Sequence, residues 1–172
     1  MKILVFSDSH GKRDRIESVI KEHLKYGKID RIFFLGDGMR EIHDLEKDYP
    51  TLTFDYVHGN CDDAFTTHEE RMNAIYEKIV DTGRFKFMLM HGHKYGVKSE
   101  YQRAADHAIE KGADVLLFGH THRAEDITID GSFGGHVRMI NPGSCGDWFR
   151  ASFACLDIVG RDIVCGFGSY EK

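Results

Sequence analysis

LLFGHTH, residues 116–122, places a short apolar run, a glycine and two histidines one residue apart in direct succession. With Val115 the run becomes VLLF, the pattern of a strand covered on both faces. Side chains of an extended segment alternate, so His120 and His122 are expected on the same side, facing one site. A strand buried on both faces needs a layer above and a layer below it.

Upstream, KILVFS (2–7) has the same continuous apolar character and is expected to be a central strand rather than a signal segment. Ile16, Val19, Ile20 and Leu24 follow at helical spacing, so one stripe can pack on a sheet. RIFFL (31–35) reads as a second buried strand, Ile42 and Leu45 mark a short helix, and LTFDYV (52–57) gives a third strand. Strand, helix, strand, helix, strand implies a parallel sheet. After the polar TTHEERMN, AIYEKIV (74–80) alternates, DTG turns and FKFMLM (85–90) follows, a hairpin that makes the sheet mixed. Tyr101, Ala104, Ala105, Ala108 and Ile109 share one face of a helix leading to VLLF. The final third, with EDITID, GGHVRMIN, SFACLDIV and DIVCGF, is expected to supply a second sheet, with GSFGG (131–135) as a turn. The fold class is therefore an α/β sandwich in a single domain over residues 1–172.

Composition narrows the function classes. A formal net charge of −5 leaves no basic footprint for nucleic-acid backbone or an anionic membrane. No apolar stretch is long enough to cross a bilayer. The cysteines, Cys61, Cys145, Cys155 and Cys165, form no CxxC pair, so free thiols in a reducing, cytoplasmic compartment are expected.

The apolar strands share one kind of ending. KILVFS runs into Asp8 and His10, RIFFL into Gly36 and Asp37, LTFDYV into His58, Gly59 and Asn60, FKFMLM into His91, and VLLFG into His120 and His122. Ligands of open α/β sheets bind outside the carboxyl ends of the strands, so groups scattered in sequence can meet in one crevice. Two carboxylates, one amide and four imidazoles form a nitrogen and oxygen donor set suited to Mn, Fe, Co, Ni or Zn. Seven donors exceed what one tetrahedral ion takes, so two ions sharing a carboxylate are the economical arrangement. Two aspartates against two divalent ions leave a formal charge of about +2, or about +1 with a bridging hydroxide, matched to a phosphodiester anion.

SDSH, GDG, GNCD, HGH, GHTH and NPGS, in this order from Asp8 to Ser144, resemble the calcineurin-like metallophosphoesterases, above all their small bacterial and archaeal phosphodiesterase branch. The resemblance implies a four-layer α/β/β/α sandwich with two mixed sheets and a dinuclear centre that hydrolyses a small phosphate ester. By it, Asp8, His10 and His122 hold one ion and Asn60, His91 and His120 the other, with Asp37 bridging, and Mn stands ahead of Ni, Co, Fe or Zn. A retromer subunit similar to this family is regarded as a binding scaffold, which gives the alternative reading of a non-catalytic fold. Many relatives carry a GNH motif whose histidine binds the substrate; here that position is Cys61. A neutral thiol replaces an imidazolium acid poorly. His93 in HGH is therefore the expected phosphate contact, with Cys61 beside the substrate and Asp37, Asn60 and His93 as the catalytic set. Asp62 is expected to orient a neighbouring ligand, and Arg150 is not assigned to phosphate.

Other histidines, His23, His43, His68, His107 and His136, are read as structural or surface residues, and His58 is open between the two uses. Asp8 could cap a helix and Asp37 could serve only a turn. Trp148 is expected in the core or at a contact between copies, and edge strands and aromatics of the last third allow a homodimer. A flavodoxin-like nucleotide site is disfavoured, since the first crossover lacks GxGxxG.

Overall fold

The computed structural model describes residues 1–65 and 68–170; Thr66, Thr67, Glu171, Lys172 and the side chains of Ala64, Phe65, His68 and Glu70 lie outside the described residues. The first sheet is built on β1 (Lys2–Phe6), which pairs in parallel with β2 (Arg31–Phe34), itself parallel to β3 (Phe54–Tyr56). Helices α1 (Arg13–Tyr26) and α2 (Met39–Asp48) make the two crossovers. Beyond the short α3 (His68–Met72), β4 (Glu77–Asp81) and β5 (Lys86–Met90) form the expected antiparallel hairpin. Helix α4 (Gln102–Glu110) then leads to β6 (Val115–Phe118), parallel to β5.

The sheets differ from the sequence expectation in how the last third is shared. β7 (Ala124–Asp130) and β8 (His136–Pro142) join β4, β5 and β6 in the order β4-β5-β6-β8-β7. β9 (Ser152–Val159) and β10 (Asp162–Ser169) return to the first sheet, giving β10-β9-β1-β2-β3. The second sheet thus begins at β4 instead of in the final third. Apolar alternation shows that a strand has a buried face but does not name its neighbour. The return is made by the segment after β8, where Cys145 N–H donates to Ser7 O and Gly146 N–H to Asp8 O.

Strand alternation explains the continuous apolar runs. Ile3 and Val5 face the second sheet with Phe33, Phe87, Leu89 and Leu117, while Leu4 and Phe6 turn toward Ile16, Ile20, Ile42 and Leu45 of α1 and α2. Met88, Met90, Leu116 and Phe118 pack against Ala104, Ala105 and Ala108 of α4. Both faces of both sheets are therefore covered, which is the four-layer α/β/β/α order. Trp148 is 72% exposed and is not core. The four cysteines are free thiols. Among the described residues no helix is long and apolar enough to cross a membrane.

Candidate metal centre

The loops leaving β1, β2, β3, β5 and β6 meet over one end of the sandwich. Five residues other than glycine adopt positive φ among the described residues: Asp8 (54°), His10 (45°), Asp37 (61°), His120 (67°) and His122 (58°). All five belong to the predicted donor set. This corrects the extended reading of DSH and HTH: each chain turns left-handed immediately after its strand, and that turn, rather than strand alternation, aims the side chains inward. Such backbone costs an L-residue on the order of 1–3 kcal/mol and persists where the surroundings overdetermine it. Helix α1 starts at Arg13 behind Lys12, so Asp8 is no helix cap.

The seven predicted donors come together. Donor atoms of Asp8, His10 and His122 lie within 4.8 Å of one another, as do those of Asp8, Asp37 and His91. His122 Nε2 is 3.0 Å from Asp8 Oδ1. His91 Nε2 is 3.2 Å from Asn60 Oδ1, 3.2 Å from His120 Nδ1 and 3.5 Å from Asp37 Oδ2. His91 Nδ1–H donates to Leu35 O at 2.7 Å, which fixes the tautomer that presents Nε2 to the site. Asp8, Asp37 and His91 are buried.

Electrostatics suit a cation. Burial opposes ionisation of Asp8, but the His122 hydrogen bond, the His91 charge and the Ser7 hydroxyl outweigh it and hold the carboxyl below its usual range. Asp37 is likewise held well below that range, against its burial, by His91 and by the Cys61 N–H, which donates to Oδ1 at 2.7 Å. His91 is raised despite its burial by Asp37 and Asp8, and His122 is raised by its bond to Asp8. Burial and the His91 charge push His120 down to about 4, leaving a neutral imidazole. Anionic carboxylates beside imidazole nitrogens aimed at a common centre fit divalent ions of the borderline transition series.

Several supporting groups were not visible as such in the sequence. Asp62 accepts four backbone N–H bonds, from Asp37 and Gly59 at Oδ2 and from Gly38 and Met39 at Oδ1, all within 2.9 Å. It clamps the two loops that carry Asp37 and Asn60, a broader task than orienting one ligand. Those loops touch at glycines: a Cβ on Gly36 would lie 2.5 Å from Gly59 N, and one on Gly59 would lie 2.1 Å from Asp37 Oδ1. Buried Asn141 of NPGS donates to Gly119 O and Thr121 Oγ1, so it braces the loop of His120 and His122. Ser144 Oγ donates to Asp8 O at 2.9 Å. The signal was the NPGS motif itself.

The remaining candidates separate. His93 sits beside the cluster, its ring centroid 5.4 Å from that of His91 and 6.2 Å from that of His120. Its Nδ1 is buried with no hydrogen-bond partner, and burial with the nearby His91 charge lowers its pKa. The Cys61 thiol is pushed up to about 11 by burial and the Asp37 carboxylate, so it is neutral. Asn60 Nδ2 donates to Cys61 Sγ at 3.3 Å, which turns the amide oxygen toward His91. His58 Nδ1 accepts from Ile75 N, a structural use. Arg150 is exposed. His23 and His107 bond to Val19 O and Glu77, His43 packs edge-on against Tyr56, and His136 is exposed at the start of β8.

Known proteins share this architecture. Residues 1–161 match the calcineurin-like phosphoesterase superfamily domain. The chain is 33% identical over 145 residues to the probable metallophosphoesterase YsnB of Bacillus subtilis, covering 84% of this chain and 75% of that protein. A crystal structure described as a predicted phosphoesterase from Streptococcus pneumoniae has a TM-score of 0.75 at 25% identity, over 98% of this chain and 88% of that one. Vps29 of Entamoeba histolytica, solved in complex with zinc, shares the fold with a TM-score of 0.67 at 22% identity, over 98% of this chain and 99% of that one. With the domain match running from β1 into the β9–β10 turn, the chain belongs to the calcineurin-like phosphoesterase superfamily.

Proposed function

We propose that this protein hydrolyses small phosphate esters, phosphodiesters in preference to monoesters, with two divalent transition-metal ions. Asp8, His10 and His122 hold one ion and Asn60, His91 and His120 the other, with Asp37 shared; Mn is the first candidate, with Ni, Co, Fe or Zn as alternatives. The observation that carries the reading is the confinement of strained, left-handed non-glycine backbone to five of these seven residues. A fold that served only as a scaffold has no use for that strain.

When bound, the ions supply Lewis acidity toward phosphoryl oxygens and a water acidic enough to ionise near neutral pH. The chain's own groups do the rest. Asp8 and Asp37 stay ionised, and Asn60 keeps its carbonyl inward through the bond to Cys61. His93, neutral and with an unpartnered Nδ1, contacts the phosphoryl group. The neutral thiol of Cys61, at about 11, lies far from the near-neutral range in which a general acid works best, so leaving groups stable as anions are favoured.

Protein stripped with EDTA and restored with Mn²⁺ or Ni²⁺ tests this against bis-p-nitrophenyl phosphate and p-nitrophenyl phosphate. Metal-restored turnover, faster on the diester, is expected. Bound metal with no turnover of either ester would transfer the assignment to a scaffold role.

A further inference from the structure

A groove of about 1190 Å³ opens from the donor cluster, with His10, Asp37 and Cys61 at its inner end and the exposed side of α2 as its wall. Small-ligand sites occupy about 300–1,000 Å³, so a lone phosphoryl group would fill only the inner end. Charged side chains of α2 line the rest. Glu41 accepts from Ser9 Oγ at 3.0 Å, and Lys47 pairs with Asp44 at 3.4 Å. Arg40 differs from them: it lines the groove, is exposed, and its guanidinium has no ion pair or hydrogen bond among the described residues. Glu69 of α3 also lines the groove.

We infer that the groove holds an arm of the substrate extending beyond the scissile phosphate, and that Arg40 binds a second, terminal phosphate on that arm. The inference rests on the phosphoesterase reading above and adds a substrate class to it, a phosphodiester that also carries a phosphate monoester. The guanidinium fork matches phosphate oxygens in a bidentate manner, which an ammonium cannot do. Two residues, Gly38 and Met39, separate Arg40 from Asp37, three backbone steps that span at most about 11 Å, a distance that one nucleoside between the two phosphates can bridge.

The test uses the metal-restored full chain and dinucleotides with a phosphorothioate linkage, which keep the charge of the diester while slowing its cleavage. ApA carries no other anion; pApA and ApAp add a terminal phosphate at one end or the other. Titration calorimetry should show one of the two binding about tenfold more tightly than ApA, the worth of one charge-assisted contact. Arg40→Gln should abolish that gain while leaving ApA binding and bis-p-nitrophenyl phosphate turnover within about twofold, as expected for an exposed position. Equal binding of all three dinucleotides, or a gain that survives Arg40→Gln, would overturn the subsite. A gain lost in Arg40→Gln without any turnover of bis-p-nitrophenyl phosphate would uphold the anion site and remove the hydrolase reading instead.

Discussion

The two sheets bring unlike halves to the centre. Loops after β1, β2 and β3 supply both carboxylates, the amide and His10; loops after β5 and β6 supply only imidazoles, His91, His120 and His122. Each half is incomplete without the other. The buried carboxylates are kept ionised by imidazoles from across the interface, Asp8 by His122 at 3.0 Å and Asp37 by His91 at 3.5 Å. Carboxylates on one side and only imidazole nitrogens on the other mean that losses in the two halves should not be equivalent. On the proposed assignment Asp37→Asn removes the charge shared by both donor groups, and it should cut metal-restored diester turnover by more than the 10–100-fold that outer partners cost. His120→Ala leaves Asp8, His10 and His122 intact, so elemental analysis should find metal reduced from about two ions per chain to about one. Equal metal loss in both variants would erase the proposed asymmetry.

The asymmetry extends to how each half is held. The imidazole loops are braced by the side-chain bonds of Asn141 to Gly119 and Thr121 and by the close approach of Gly119 to Ser7, where a Cβ would lie 2.0 Å from the hydroxyl. The carboxylate loops depend on glycine contact and on Asp62. Gly59→Ala places a Cβ 2.1 Å from Asp37 Oδ1 and 2.5 Å from the Asp37 backbone nitrogen, so the carboxylate must shift. Turnover should fall nearly as far as in Asp37→Asn, with a native-like circular dichroism spectrum. Asp62→Ala leaves four N–H groups without their acceptor. It should weaken metal affinity 10–100-fold and lower stability by about 1–3 kcal/mol in chemical denaturation. Asp62→Asn, which retains one carbonyl oxygen, should fall between Asp62→Ala and wild type. No change in metal affinity for Asp62→Ala would show that the loops hold themselves.

Much of this was legible because chemistry-bearing residues followed each apolar run. The ending of RIFFL at Gly36 and Asp37 and of FKFMLM at His91 was enough to gather the donors without coordinates. Strand partners were less legible, because the alternation of SFACLDIV reports a buried face and is silent on whether β1 or β8 lies beside it. The left-handed turns at His120 and His122 were missed for a related reason. HTH after a strand reads as more strand, and tertiary contacts such as those of Asn141 and Asp8 stabilise the costly backbone. Asp62 was recognised as a supporting residue but not as a clamp, since its partners are main-chain N–H groups that carry no sequence signature.

Cys61 offers the smallest effect and the finest test of the comparison, because it lies in the carboxylate half without being one of the seven donors. Its sulfur meets Asn60 Nδ2 at 3.3 Å and its N–H holds Asp37. Both contacts position neighbouring side chains, and the thiol itself also bonds to the Asp37 carboxylate. Burial and Asp37 raise the thiol to about 11, so it stays protonated across the neutral range. Cys61→Ser keeps an acceptor for Asn60 and leaves the backbone bond in place, and diester turnover should remain within about threefold of wild type, a change of under 1 kcal/mol in activation free energy. Its pH profile should also be unchanged, since a group that does not titrate near neutrality contributes no limb to it. Cys61→Ala frees the amide to rotate and should cost more than the serine variant, seen as weaker metal retention. Were the thiol a nucleophile or proton donor, both variants would instead lose activity together by orders of magnitude, and iodoacetamide would inactivate the metal-loaded enzyme. The carboxylate half would then carry reactive chemistry of its own, and the division between charge on one sheet and nitrogen donors on the other would no longer describe the site.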